Sequence, residues 1–201
     1  ATNTTKNLQG SLIVSTIEGN LSVLQPPVPK LAKSLTVEGR LKLAGLRERL
    51  RISLSPAEFQ GVITELKALA NTPSLGLAVQ TTLGRAYLNR QMFEEAIRYS
   101  KRVVDESVGA STSRVSGINI EACFVLVQGY VAQSQHKEAQ EIIDQLRKLN
   151  RSAAGDLAQI AGDVALDTGK KAGASYALAY FERAVEASPR NARALRGRAL
   201  S

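Results

Sequence analysis

Tryptophan is absent from this 201-residue chain, and histidine, cysteine and methionine occur once each. Aromatic residues make up only 4%, which argues against a sugar or ring-stacking site lined by aromatic side chains. One Cys cannot close an internal disulfide, and one Cys with one His cannot assemble a zinc site from the usual ligand set. No apolar run approaches the roughly 20 residues needed to span a bilayer, so no transmembrane segment is expected. No cofactor and no metal are expected either, and no constellation for acid/base or nucleophilic catalysis stands out. The chain reads as a non-enzyme of a reducing compartment, intracellular and by default cytoplasmic. It begins at Ala1 without an initiator Met, as an excised or processed chain would, and no secretory h-region precedes it. The Asn-x-Ser/Thr triplets at Asn3, Asn20 and Asn150 are of the kind that arise by chance.

What is present is apolar content of 44%, normal for a globular chain, and a net charge of +8. Residues 1–33 are the hardest to read. Val14, Ile17, Leu21 and Leu24 fit a short helical stripe, although Ile13-Val14 and the Glu18-Gly19-Asn20 turn equally suit a hairpin, and Pro26-Pro27-Val28-Pro29 reads as an extended linker. From Ser34 onward helical signals dominate. Ser34 is expected to cap a helix running to about Arg51. Leu35, Leu43, Leu46 and Leu50 share one face of it, while Val37 and Leu41 lie nearly opposite, as in a helix sandwiched between neighbours. Ser55-Pro56-Ala57-Glu58 is a helix start with N-cap, early Pro and an acid three residues on. That helix continues through Phe59, Val62, Ile63, Leu66 and Leu69. Asn71-Thr72-Pro73-Ser74 should end it and cap the next.

The following segments are self-similar. Leu83-Gly84, Tyr87 and Ala96 in the first are matched by Leu126, Tyr130 and Ala139 in the second. In both, Tyr follows Leu by four residues and Ala follows Tyr by nine. Ala161-Gly162, Ala177, Phe181, Ala184 and Pro189 mark a third segment, and Asn191 to Leu195 open a fourth. Tyr87 and Tyr130 lie 43 residues apart, Ala139 and Ala177 lie 38 apart.

These residues resemble the tetratricopeptide repeat (TPR) family, whose helix–turn–helix unit of about 34 residues carries Leu-Gly, Tyr, Ala, Phe and Pro at set places. The resemblance implies an all-α fold, a right-handed α-solenoid of stacked helix–turn–helix pairs. It places a degenerate pair at 34–73, repeats at about 75–110, 118–150 and 155–189, and a partial one at 191–201, after an N-terminal segment 1–33. Ser100, Val108, Val127 and Cys123 depart from the family pattern. The spacings above 34 residues place insertions at Gly109–Ser113 and Lys170–Ala174. Gly84 and Ala96 should let paired helices cross closely, and Gly169 suits the turn of the third pair.

The resemblance also implies a function: a protein-interaction scaffold or adaptor, a subunit or assembly factor of a larger complex, binding a partner segment on its concave face. By register that face presents Ala78, Thr81, Arg85, Leu88 and Asn89, then Glu121, Phe124, Gln128 and Val131, then Gln159, Asp163 and Leu166. A co-chaperone type of carboxylate clamp is disfavoured, because its Asn positions are not matched by Thr81, Arg85 and Val125.

Charge is uneven along the chain. Residues 28–52 hold seven cations against two acids, and residues 183–198 hold five against one. Between them, residues 93–145 carry a net −3. The basic patches comprise Arg40, Lys42, Arg47, Arg49 and Arg51 at one end and Arg190, Arg193, Arg196 and Arg198 at the other. With a pI near 9.8, they make RNA binding the alternative function. Self-association is a further expectation. Leu195, Ala199 and Leu200 belong to a first helix without its second, so either the chain continues or that face is an interface.

The remaining motifs carry no chemistry. Asp167-Thr168-Gly169 matches the aspartic-protease triad once, where two copies are required, and reads as a helix C-terminus. Gly162 to Gly169-Lys170 has six residues between its glycines, where a phosphate loop has about four. His136 is expected to be a solvated turn residue. Cys123, among Ala122, Phe124 and Leu126, is expected to be a buried structural thiol.

Overall fold

The structure, a computed structural model, describes residues 29–72, 75–109, 119–168 and 171–201. Among them are nine helices and no strands: α1 (Pro29–Arg49), α2 (Pro56–Leu69), α3 (Gly76–Asn89), α4 (Phe93–Gly109), α5 (Ile120–Ala132), α6 (His136–Leu149), α7 (Arg151–Asp167), α8 (Lys171–Ala187) and α9 (Ala192–Leu200). Two compact units divide the chain, Ala1–Lys42 and Leu43–Ser201.

In the first unit the described part is the helical stretch 29–42. Its helix begins at Pro29 and so takes in a residue expected to be linker. Proline is tolerated there because the first-turn N–H has no helical partner in any case. Ser34 therefore lies inside the helix and does not cap it. Val37 and Leu41 are exposed, 56% and 69%, so the expectation of a helix buried on two sides is corrected. The short helix expected within residues 1–28 lies outside the described residues.

The second unit is a run of helix pairs. Leu43 and Leu46 of α1 are buried with Phe59, Val62, Ile63 and Leu66 of α2. Those four α2 residues follow at three and four positions, one stripe of a 3.6-residue helix. Ser55 starts α2 with a complete capping box: its side chain accepts the Glu58 N–H while the Glu58 carboxylate accepts the Ser55 N–H at 2.8 Å. The Ser55 hydroxyl also donates to the Glu58 carboxylate at 2.7 Å, and this bond first, with that from the Ser55 N–H, holds the Glu58 carboxyl below its usual range. The N-cap of α3 is Leu75, with no side-chain hydrogen bond, so the expected cap within Asn71–Ser74 is not the one used.

Helices α3 and α4, α5 and α6, and α7 and α8 form the pairs, and the first helix of each also touches the first helix of the next. In the turns of the first two pairs, Gln91 and Ser134 take left-handed backbone, φ 58° and 63°. Gly169 holds the corresponding place in sequence and lies outside the described residues. Close packing explains the small residues. A Cβ on Gly84 would overlap the Ser100 hydroxyl of α4, which is buried at the position where the family pattern has Phe. In the third pair the extra residues lengthen a helix: Lys171 to Ala174 form the first turn of α8. Gly173 there approaches α7 so closely that a Cβ would stand 2.5 Å from the Ala165 carbonyl oxygen.

His136 is corrected outright. It opens α6 and is buried, with its ring stacked on Tyr176 at 3.9 Å between centroids. The Tyr180 hydroxyl donates to the His136 carbonyl at 3.2 Å and lies 3.4 Å from Nδ1. The turn is covered because α8 lies over it, and α8 is some 40 residues further along the chain. Cys123 is fully buried, as expected.

Candidate partner-binding trough

Helix α1 ends in a cluster of arginines. Arg49 pairs with Glu65 of α2 at 2.8 Å. Arg47 turns toward α3, its Nε donating to Thr82 Oγ1 at 2.9 Å and a terminal N–H reaching the Ala78 carbonyl at 3.5 Å. Arg51 meets Glu48 of its own turn at 3.4 Å. Facing them, α3 presents Thr82, Arg85, Ala86 and Asn89 at helical spacing, and α5 contributes Glu121. The space between measures about 550 Å³. A second space of about 430 Å³ shares Leu50, Arg51, Ala86 and Asn89 with it and adds Ile52, Ser53, Leu54, Phe59 and Arg90. Together they form one trough: its α5 end carries Arg47, Arg51 and Arg85 with Glu48 and Glu121, and its more apolar end, toward α2, carries Ile52, Leu54 and Phe59 beside Arg90.

Arg90 closes the apolar end. Its guanidinium donates to the Leu54 carbonyl at 2.6 Å and lies 4.8 Å from the Phe59 ring centre. Phe59 in turn packs edge-on against Tyr87, which stacks on Tyr99. The trough floor is therefore part of the buried core.

The trough joins two groups that the sequence reading kept apart. Arg47 and Arg51 belonged to the basic patch, Arg85 and Asn89 to the concave face. The reach of Arg47 from α1 to Thr82 and Ala78 of α3 brings them together. The other residues of the expected face have internal partners. Thr81 is buried and accepts from the Asn119 side chain at 3.2 Å. Arg85 Nε lies 3.7 Å from Glu121. Gln159 accepts from Asn191 at 2.8 Å, and Asp163 pairs with Arg193 at 3.0 Å. Each set has one form: two residues four apart on one first helix meet the N-cap residue, and the residue two later, of the next first helix. Thr81–Asn119, Gln159–Asn191 and Asp163–Arg193 brace consecutive units, while the longer Arg85–Glu121 contact stays exposed at the trough.

Leu88 and Phe124 are half-buried against the core, and the Gln128 amide donates to the Phe124 carbonyl of its own helix. Val131 is fully buried, as is Val125, so Val131 offers nothing to a partner in this conformation. Ala78 and Leu166 are half-buried. Arg40 and Lys42 are exposed on the first unit, while Arg190, Arg196 and Arg198 are exposed before and along α9. Leu200 is exposed as well.

The fold resembles that of MamA. One crystal structure of MamA aligns with a TM-score of 0.50 and 20% identity, covering 74% of this chain and 84% of that one. A second, MamA AMB-1, aligns at 0.51 and 13%, covering 82% and 81%. At such identities the likeness is one of fold: an all-α, TPR-like helical-repeat solenoid. No protein-family model matches the sequence, and no curated protein matches it. Among the described residues, no three His, Cys, Asp or Glu side chains come together as metal ligands, and no helix is long and apolar enough to cross a membrane.

Proposed function

We propose that the second unit is a protein-interaction scaffold, an adaptor or assembly subunit of a larger intracellular complex, and that a partner's segment lies in the trough. One observation carries the reading. Arg47, Arg51, Arg85 and Asn89, drawn from two helices and the turn after the first, converge on an open cleft beside exposed apolar surface. Stacked helix pairs suit this work, because each unit adds to a continuous surface without enclosing a reaction chamber. The position within the expected face shifts. Thr81, Gln159 and Asp163 serve as braces, and the open part lies at Arg85 and Asn89 with Arg51.

Two other readings draw less support. RNA binding asked for a free basic stripe at Arg47, Arg49 and Arg51, yet Arg47 and Arg49 are engaged with Thr82 and Glu65. Symmetric self-association through α9 would bring the exposed Arg196 and Arg198 of both copies into one interface.

The test is affinity capture from a source extract with the wild-type chain and with Arg51→Glu/Asn89→Ala, followed by titration of the purified partner. Both residues are exposed, so helical circular dichroism should be unchanged. The partner should be retained by the wild type and lost by the variant. Equal retention by both proteins would remove the trough from the binding surface.

A further inference from the structure

The chemistry of the trough's walls says what kind of segment fits it. We infer that the occupant is an acidic peptide segment that also carries an aliphatic side chain, an inference that rests on the reading that the trough receives a partner segment. Four guanidinium groups line the two spaces, and they fall into two classes. Arg47 and Arg90 are built into the walls: one is bonded to Thr82, the other to the Leu54 carbonyl and over the Phe59 ring. Arg51 and Arg85 are held loosely. Arg51 meets Glu48 at 3.4 Å with both side chains more than two-thirds exposed, and Arg85 meets Glu121 at 3.7 Å through one nitrogen. Exposed single contacts of this kind add little stability. They leave each guanidinium with donors free for a better-placed carboxylate.

Glu48 and Glu121 thus occupy the places that an incoming pair of acids would take. An acidic segment exchanges for them, whereas a basic segment meets four guanidinium groups against only these two carboxylates. Beside this end lies apolar surface: Ile52 is 64% exposed, and Leu50 and Leu54 are half-buried. An aliphatic side chain set there leaves water. Asn89 borders both spaces and is exposed. Its carboxamide offers a donor and an acceptor, the pattern that matches a peptide bond. A nucleic acid would present phosphates to the arginines, but its bases would find no open ring to stack on. Phe59 is 5% exposed and its face is taken by Arg90, and Tyr87 is 4% exposed.

The experiment is selection of a random dodecapeptide phage library on the intact chain, followed by fluorescence anisotropy with the enriched peptides as probes. The expected peptides combine Asp or Glu with Leu, Ile or Val. Their affinity should fall about tenfold or more in Arg51→Glu/Arg85→Glu and fall severalfold in Ile52→Ser. It should rise in Glu48→Gln/Glu121→Gln, where the competing carboxylates are gone. A ligand that gains nothing from acid–arginine contacts would not respond to that last variant. Enrichment of basic or uncharged peptides that still depend on Arg51 and Asn89 overturns the acidic chemistry and leaves the trough as a peptide site. Peptides that bind Arg51→Glu/Arg85→Glu as well as the wild type overturn both. A selection that enriches nothing overturns the acidic inference.

Discussion

Cys123 is fully buried on α5, and burial pushes its thiol up from the usual 9.0 to about 11. The thiolate is the charged form, so the folded chain keeps its proton to higher pH than the unfolded chain does. The resulting stability is fully present below about pH 9 and is lost as pH rises toward about 11. Tyr130 and Tyr180 are also raised by burial, but they begin to titrate later. Urea midpoints measured between about pH 8 and 9.5, below the unfolded tyrosine range, therefore report chiefly on the cysteine. The wild-type midpoint should fall over this window, and that of Cys123→Ala should fall less, whatever constant penalty the smaller side chain adds. Parallel slopes would show that the thiol does not titrate in the folded chain as its burial demands. This residue was legible in sequence because its neighbours Ala122, Val125 and Leu126 are apolar and local. His136 was not, because Tyr176 and Tyr180 cover it from another helix.

Helices show the same division between local and distant causes. The Ser55–Glu58 capping box was readable because four consecutive residues make it. The extra turn of α8 was not, because an insertion between paired helices can lengthen a loop or a helix with equal ease. Glycines give the sharpest contrast. Gly162 on α7 and Gly197 on α9 both face the ring of Phe181, which is fully buried. A Cβ at 162 would lie 2.8 Å from two ring atoms, and one at 197 would overlap the same atoms. Gly61 on α2 has nothing within 4 Å of the corresponding point. Gly61→Ala should raise stability by about 0.5–1 kcal/mol, the ordinary helix preference for alanine. Gly197→Ala should lower it by about 1–2 kcal/mol, because overpacking against a rigid ring outweighs that preference. Thermal melts of the two variants should move in opposite directions. A rise for Gly197→Ala would mean that α9 does not sit against Phe181.

At the scale of the second unit, repeat register anticipated the helix pairs but not which polar side chains of a first helix meet the next unit. Register says which side of a first helix faces the next unit. It does not say whether a polar residue there will be met by the neighbour. Asn119 and Glu121, and Asn191 and Arg193, answer that question only after the helices stack. The trough was missed for a related reason: Arg47 and Arg85 lie 38 residues apart in sequence, and nothing local links them. The stacking also divides the interior. One buried cluster runs from Leu43 through α2 and α3 to Val125, and the other from Val103 through α5 to α8 and on to Ala194. In a stack of units each is stabilised mainly by its neighbours, so a local loss of packing should spread along the chain and weaken with distance. Phe181 lies in the second cluster, between α7 and α9. Phe181→Leu, which removes part of the ring's packing at a cost of about 1–2 kcal/mol, should speed amide exchange most in α7, α8 and α9. Amides of α2 and α3 should keep wild-type protection. Mass-spectrometric exchange at low denaturant resolves the two groups. If α2 and α3 lost protection as much as α8, the two clusters would open as one cooperative body, and the nearest-neighbour account of this unit would fail.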